Sequence, residues 1–269
     1  MRIALGIEYN GADFFGWQKQ SDRPSVQEAV EQALYKFIGQ KINVYVAGRT
    51  DTGVHALEQV IHFDTDIVRE DFSWVRGMNT FLRKNQKKTI SILWAKQVDE
   101  TFHARFSAIA RTYYYILYVG KTSPACFDGQ VGYYMHSGTL DVDAMQEGAN
   151  FLIGRHDFSS FRASICQAKT PIKTMYNIKI QSNDCWYLFE IKANAFLHHM
   201  VRNIMGCLIT IGANKKPVEW MNQVLLAKSR ISAAPTFMAC GLYLANIDYQ
   251  DINLPQTKPK LPWCLNLIP

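Results

Sequence analysis

An α+β fold, built from two similar units sharing one extended sheet, is what this 269-residue sequence predicts. Strand-like runs with period-two alternation recur in both halves, and each half mixes them with roughly two amphipathic helical stretches. No low-complexity linker separates the halves. With 48% hydrophobic and 19% charged residues, the chain is ordinary for a globular protein that buries a substantial core. Its apolar runs are much shorter than a membrane span needs. The opening Met1-Arg2-Ile3-Ala4-Leu5-Gly6-Ile7-Glu8-Tyr9 meets a charge too early for a signal peptide, so a cytoplasmic protein is the default expectation.

That opening reads as a first strand. An aromatic and glycine-rich loop follows at 10–18. Ser25-Val26-Gln27-Glu28 then matches a capping box, with Ser25 as N-cap and Glu28 reaching back. Val26, Ala29, Val30, Ala33, Leu34, Phe37 and Ile38 repeat at helical spacing and give that helix one face to pack on a sheet. Apolar runs at 42–47 and 59–63 alternate as strands and complete a β-α-β-β order. An amphipathic stretch covers 69–82, a basic turn 83–88 and a further strand 89–98. The second half opens with a long strand at 109–119, whose alternation puts Tyr113 and Tyr115 on one face and Thr112 and Tyr114 on the other. A helix is expected at 141–151, a loop at 156–161, and strands at 174–181 and 185–193. A helix is expected from His199 to about Ile211, a shorter one after Pro217, and a last strand at 241–247. The tail, with Pro255, Pro259 and Pro262, reads as an irregular arm.

The densest chemistry lies between the second and third strands, in Gly48-Arg49-Thr50-Asp51-Thr52-Gly53-Val54-His55-Ala56. A glycine near each end admits positive φ or a close approach to a ligand. Between them stand an arginine, a carboxylate, hydroxyls and a histidine. A turn in which Asp51 bonds its own backbone and Arg49 makes a surface ion pair accounts for this stretch as well as a site does. Elsewhere, His199 and Arg202, three apart, and His198 and Arg202, four apart, would share a helix face. The two adjacent histidines read as packing or hydrogen-bonding residues, because they point in different helical directions and the glutamate of a metalloprotease helix is missing. The six cysteines (Cys126, Cys166, Cys185, Cys207, Cys240 and Cys264) show no metal-ligand spacing and read as reduced thiols. A net charge of +6 nudges towards an anionic partner.

Several longer segments stand in an order that resembles the tRNA pseudouridine synthase A family (TruA) from one end of the chain to the other. They are residues 4–9, Gly16-Trp17-Gln18, Ser25-Val26-Gln27-Glu28, and Ala47 through Ala56 with its Gly-Arg-Thr-Asp-x-Gly-Val-His pattern. They continue with Phe102-His103-Ala104-Arg105-Phe106-Ser107-Ala108, Arg111-Thr112-Tyr113-Tyr114-Tyr115, residues 192–196, residues 198–204 and Gly241-Leu242-Tyr243-Leu244. The resemblance implies a pseudouridine synthase fold, with a mainly antiparallel shared sheet, helices packed on it and a central cleft. It divides the chain into an N-terminal unit, 1–105, with the aspartate loop and a C-terminal unit, 106–269, with the tyrosine strand and arginine helix. It implies a cofactor-independent, metal-free isomerase that converts uridine to pseudouridine at positions 38 to 40 of the tRNA anticodon stem-loop. It also implies a homodimer in which one tRNA contacts both subunits, with no membrane association.

Carried over by motif, Asp51 takes the place of the catalytic aspartate. Arg49 matches the arginine that helps hold the target nucleotide out of the stack, Tyr113 the tyrosine that stacks on the uracil, and Arg202 the arginine that pairs with the carboxylate and favours its charged form. Arg69, His103, Arg105, Lys121 and Lys169 are candidates for tRNA phosphate contacts, each alone being as well explained as a solvated charge. Two segments depart from the family pattern: Leu82-Arg83-Lys84-Asn85, where Leu-Pro and an acidic residue are usual, and Thr236-Phe237-Met238-Ala239-Cys240, which adds bulk near an expected site wall. Two other classes compete. A non-catalytic RNA-binding protein would have no need of Asp51, and a metal-dependent nuclease or hydrolase would use Asp51, Asp64 and Asp66 with the histidines.

Overall fold

The computed structural model describes residues 1–83, 88–250 and 252–255. Most of the basic turn expected at 83–88, the Lys84-Asn85 departure, Cys264 and nearly all of the proline-bearing tail lie outside the described residues. Among the described residues the chain forms two compact units, Met1–Ile109 with 243–255, and Ala110–Leu242. Sequence alone puts the division at 105/106 and the last strand in the second unit. By its contacts that strand clusters with the first.

In the first unit, β1 (Arg2–Tyr9) lies between β4 (Ile90–Val98) and β3 (His55–Asp64), antiparallel to both. The short β2 (Tyr45–Val46) pairs antiparallel with β3, and β10 (Leu242–Tyr249) pairs with β3 in parallel through Tyr243 and Leu244. Helix α1 (Val26–Ile38) starts where predicted, because the Ser25 hydroxyl accepts the Glu28 N–H at 3.3 Å. The return bond of a capping box is not what completes this end. The Val26 and Gln27 N–H groups donate instead to the Gly16 and Trp17 carbonyls of the preceding loop. The helix ends on Gly39, at φ 76°. Helix α2 (Asp71–Phe81) buries Trp74 and Met78, with Trp74 edge-on to both Phe37 and Phe63.

Strand β3 departs from the alternation expected of it. All of its residues except Asp64 are buried, among them His55, Glu58, Gln59 and His62. An interior strand covered on both faces shows no polar-out rhythm, and each buried polar group has a specific partner. His55 Nδ1 accepts from the Gly11 N–H at 3.0 Å, Glu58 from the Trp94 indole at 3.0 Å, and His62 Nδ1 from the Ala104 N–H at 3.1 Å.

The second unit repeats the plan. Strand β9 (Trp186–Ala193) lies between β5 (Ala108–Gly120) and β8 (Ile172–Asn183), antiparallel to both. Strand β7 (Gly154–Asp157) pairs antiparallel with β8, and β6 (Gly132–Met135) pairs in parallel with β5. Helix α3 (Val142–Asn150), N-capped by Asp141, packs on β8 and on α4 (Met200–Gly212). Helix α5 (Trp220–Ala227) lies against α3. Two strands are not evident from the sequence. Strand β7 ends in the first two residues of the loop expected at 156–161: four residues are too short for a period, and the Asp157 carboxylate takes both the N–H and the O–H of Ser159, which gives the segment turn chemistry. Strand β6 is equally short. The five described cysteines, Cys126, Cys166, Cys185, Cys207 and Cys240, are free thiols. Among the described residues no helix is long and apolar enough to cross a membrane.

Candidate active site

The aspartate loop is held at several residues along its path. The β2–β3 ladder pairs Tyr45 with His62 and Val46 with Ile61, then the Ala47 N–H donates to the Val60 carbonyl at 2.9 Å. At the next step the Gln59 side chain replaces a backbone partner. Its amide nitrogen donates to the Gly48 carbonyl at 2.6 Å, and its amide oxygen accepts the Gly48 N–H at 3.4 Å. The chain thus leaves the sheet without orphaned polar groups. Thr50 is held twice, its hydroxyl to the Tyr9 phenol at 2.8 Å and its carbonyl by the Trp17 N–H at 3.0 Å. Burial pushes the Tyr9 phenol up to about 12, so it stays protonated and able to donate.

Asp51 opens a tight turn that closes through the Val54 N–H onto the Asp51 carbonyl at 3.1 Å, with Gly53 at φ 76° in the third position. That φ is what a type II turn demands there, which explains the second glycine of the motif. Two glycines of the 10–18 loop clamp the turn from outside. A Cβ on Gly11 would lie 2.0 Å from the Val54 carbonyl oxygen, and one on Gly16 (φ 85°) 2.7 Å from that of Thr50. His55 is not aimed at a ligand: its Nδ1 accepts the Gly11 N–H, and its ring stacks on Tyr243 at 4.5 Å and 20°. Asp51 is half-buried and Arg49 exposed. A carboxylate on a turn so fully braced is preorganised. Gln59→Leu is expected to destabilise the protein by about 2 kcal/mol, since it strands the Gly48 N–H and carbonyl. Urea unfolding would read the loss, and hydrogen exchange should show the Gly48 amide losing protection first.

The second unit holds Tyr113 and Arg202. Tyr113 lies on β5 opposite Ile191, keeps 8% of its surface exposed, and meets Phe196 edge-on at 5.0 Å and 86°. Tyr115, on the same face, is fully buried and donates its phenol to the Met238 carbonyl at 2.9 Å. The Phe196 loop is set by Asn194, whose side-chain oxygen accepts the Thr174 and Ala195 N–H groups, and whose carbonyl accepts from the Arg111 guanidinium at 3.0 Å. Sequence alone assigns no role to Gln59, Asn194, Arg111 or Phe196. Only the presence of polar residues inside apolar strand patterns points to Gln59 and Arg111.

Helix α4 begins at Met200, because His199 stands at φ 62° in the left-handed region. The histidines therefore precede the helix, and the expected shared face with Arg202 does not form. Their rings instead lie 4.0 Å apart, while the His198 N–H donates to the Cys166 thiol at 3.4 Å. The Arg202 Nε donates to the Phe237 carbonyl at 2.9 Å, and the Phe237 N–H returns to the Arg202 carbonyl at 3.1 Å. The Nε of Arg202 is thus committed to the backbone of the 236–240 segment. Neighbouring Asn203, fully buried, accepts from Thr236 at 2.7 Å and Arg230 at 3.1 Å and donates to the Phe161 carbonyl at 2.8 Å. The atypical 236–240 segment, expected only to add bulk, is thus the clamp that steers Arg202.

Among the phosphate candidates, Arg69 lies 4.6 Å over the Phe37 ring and Arg105 5.6 Å over Phe106, both exposed, as are Lys121 and Lys169. His103 differs. Its Nδ1 accepts the N–H groups of Arg105 and Phe106, and burial, then Arg2, lower its pKa. It is therefore a neutral turn-former at neutral pH. The carboxylate set of the hydrolase alternative does not assemble. Asp64, at the far end of ten-residue β3 and roughly 30 Å along the strand from His55, forms a two-pronged pair with Arg2 at 2.8 and 2.9 Å, and Asp66 accepts from Gln40 at 3.2 Å.

Comparison with known proteins covers nearly the whole chain. A family model described as tRNA pseudouridine synthase matches residues 6–107 and 149–250. The tRNA pseudouridine synthase A of Polynucleobacter asymbioticus is 52% identical over 274 residues, spanning 99% of this chain and 96% of that one. The protein of that name from Paraburkholderia phytofirmans is 52% identical over 97% of this chain and 96% of its own, and that from Ralstonia nicotianae 54% over 93% and 90%. Among solved structures, a Cbf5-Nop10-Gar1 complex aligns with 77% of this chain and 45% of that one at a TM-score of 0.33 and 10% identity.

Proposed function

The chain belongs to the tRNA pseudouridine synthase family, and on that premise we propose that Asp51 supplies the carboxylate acting on a uridine of the anticodon stem-loop, at positions 38 to 40. The enzyme is an isomerase that turns uridine in tRNA into pseudouridine. The bond from uracil N1 to the sugar breaks, the ring turns, and a bond from C5 to the same sugar carbon forms. C5 gives up a proton and N1 ends protonated, so the formula is unchanged and no oxidant or reductant is required. A carboxylate serves this reaction as a nucleophile at the sugar or as a base on a sugar proton, and both routes need it ionised and fixed in place. The observation that carries the assignment is the bracing of the Asp51 turn by Gln59, Tyr9, Gly11 and Gly16.

A base stacked in a stem cannot be reached in place, so the nucleotide must be flipped, at a cost of a few kcal/mol. In this reading Tyr113 stacks on the uracil, Arg49 holds the extruded nucleotide, and the Nη fork of Arg202 pairs with the carboxylate. The test is tRNA from cells lacking and regaining the protein, mapped for pseudouridine through the anticodon stem-loop. Modification there that does not depend on the protein would overturn the assignment.

Arg69, Arg105, Lys121 and Lys169 are proposed to follow the tRNA backbone. Each phosphate that a cation neutralises adds roughly 0.7–0.9 to the slope of log affinity against log salt, so replacing all four by alanine should reduce that slope by about 3. His103→Gln should leave the slope unchanged, because the ring is neutral. An unaltered slope in the fourfold variant would remove these residues from the interface. We further propose a homodimer acting in the cytoplasm, where its substrate is found. A monomer in light scattering at assay concentration, or fractionation away from the soluble tRNA pool, would contradict the respective part.

A further inference from the structure

We propose that Phe15 and Arg23 form a stacking subsite for the nucleobase next to the isomerised uridine, a role that rests on the pseudouridine synthase reading above. The Phe15 ring is 40% exposed although its backbone is fixed on both sides: its N–H donates to the Pro24 carbonyl at 2.9 Å, and its carbonyl accepts from the Gln20 amide at 2.9 Å. A ring held in water by an ordered backbone contributes little to the fold. The Arg23 guanidinium lies 4.9 Å from the ring centroid, as a cation–π contact prefers. Among the described residues Arg23 makes no ion pair, whereas Lys19 in the same loop pairs with Glu31 at 3.5 Å. An exposed aromatic face beside an unneutralised planar cation suits a base and its phosphate.

Position singles this pair out from other exposed pairs of its kind. Phe72 and Arg76, 5.7 Å apart, are four residues apart on α2, an ordinary helix-surface pair. Phe15, in contrast, adjoins Gly16, whose missing side chain lets the backbone approach the Thr50–Asp51 peptide: a Cβ there would lie 3.2 Å from the Asp51 carbonyl carbon. The next residue, Trp17, donates its N–H to the Thr50 carbonyl. The ring is therefore carried by a segment in backbone contact with the residue proposed to do the chemistry, where a flanking nucleotide must pass. Because every base has a π-face, the subsite positions the strand and is indifferent to its sequence.

The test uses the full chain with an anticodon stem-loop RNA carrying 2-aminopurine beside the target uridine. Phe15→Ala and Phe15→Leu should each lower kcat/KM ten- to a hundredfold, mostly through KM, while Phe15→Trp stays within threefold of the parent. Quenching of 2-aminopurine on binding should persist with Trp and be lost with Leu. Arg23→Ala should reduce the salt slope of binding by about 1. A Leu variant with parental kcat/KM and quenching would show that the ring is mere apolar cover and overturn the subsite. A parent that forms no pseudouridine would fail the earlier reading instead, and the two failures are distinct.

Discussion

Replacing Asp51 by asparagine should abolish pseudouridine formation, lowering the single-turnover rate by at least about a thousandfold, or about 4 kcal/mol of transition-state stabilisation. Binding of the tRNA should stay within about threefold. Asparagine has the shape of aspartate and leaves intact the bond from the Val54 N–H to the residue 51 carbonyl, so the braced turn survives. What goes is the negative charge that either route requires. Turnover measured with tritium at uracil C5, beside filter binding of the same RNA, separates the two effects. A variant that binds and still isomerises would eliminate Asp51 from the chemistry, and a variant that does neither would assign it to binding.

Tyr113→Phe is expected to be mild and Tyr113→Ala severe. Base–aromatic stacking contributes roughly 1–3 kcal/mol, so loss of the ring should cost about five- to more than a hundredfold in kcat/KM. The structure alters how the alanine variant must be read. Tyr113 is only 8% exposed and packs edge-on against Phe196, so truncation also leaves a cavity, with a stability cost of about 3 kcal/mol. Activity has to be scaled by the folded fraction from a urea curve. Phenylalanine avoids this problem because it keeps both the stack and the Phe196 packing. Equal loss in both variants would move the role from the ring to the hydroxyl.

Local chemistry made much of this molecule legible in its sequence. Ser25 marks the start of α1 because a cap side chain is a short-range need. Gly53 marks the tight turn beneath Asp51 for the same reason. The tyrosine strand and the two amphipathic helices of the first unit emerge from periodicity, which each residue carries with it. The motifs placed Asp51, Arg49, Tyr113 and Arg202 in order along the chain, and the relatives at 52–54% identity establish the family.

What sequence left open depends on partners distant along the chain. Strand β3 shows no alternation because both of its faces are covered, and one of its sheet neighbours, β10, lies some two hundred residues away in the sequence. His55, conspicuous in the motif, proves to be a brace, since its ring nitrogen is taken by Gly11 and its face by Tyr243. Gln59 standing in for a strand, Asn194 ordering the Phe196 loop, and the Phe237 carbonyl aiming Arg202 follow from no period or motif. Sequence by itself determined which groups are the candidates for the chemistry, because functional-group identity and turn geometry are properties of a residue and its neighbours. Only the tertiary structure decided what holds those groups still, because a buried hydrogen bond is satisfied by whatever the fold brings within about 3 Å.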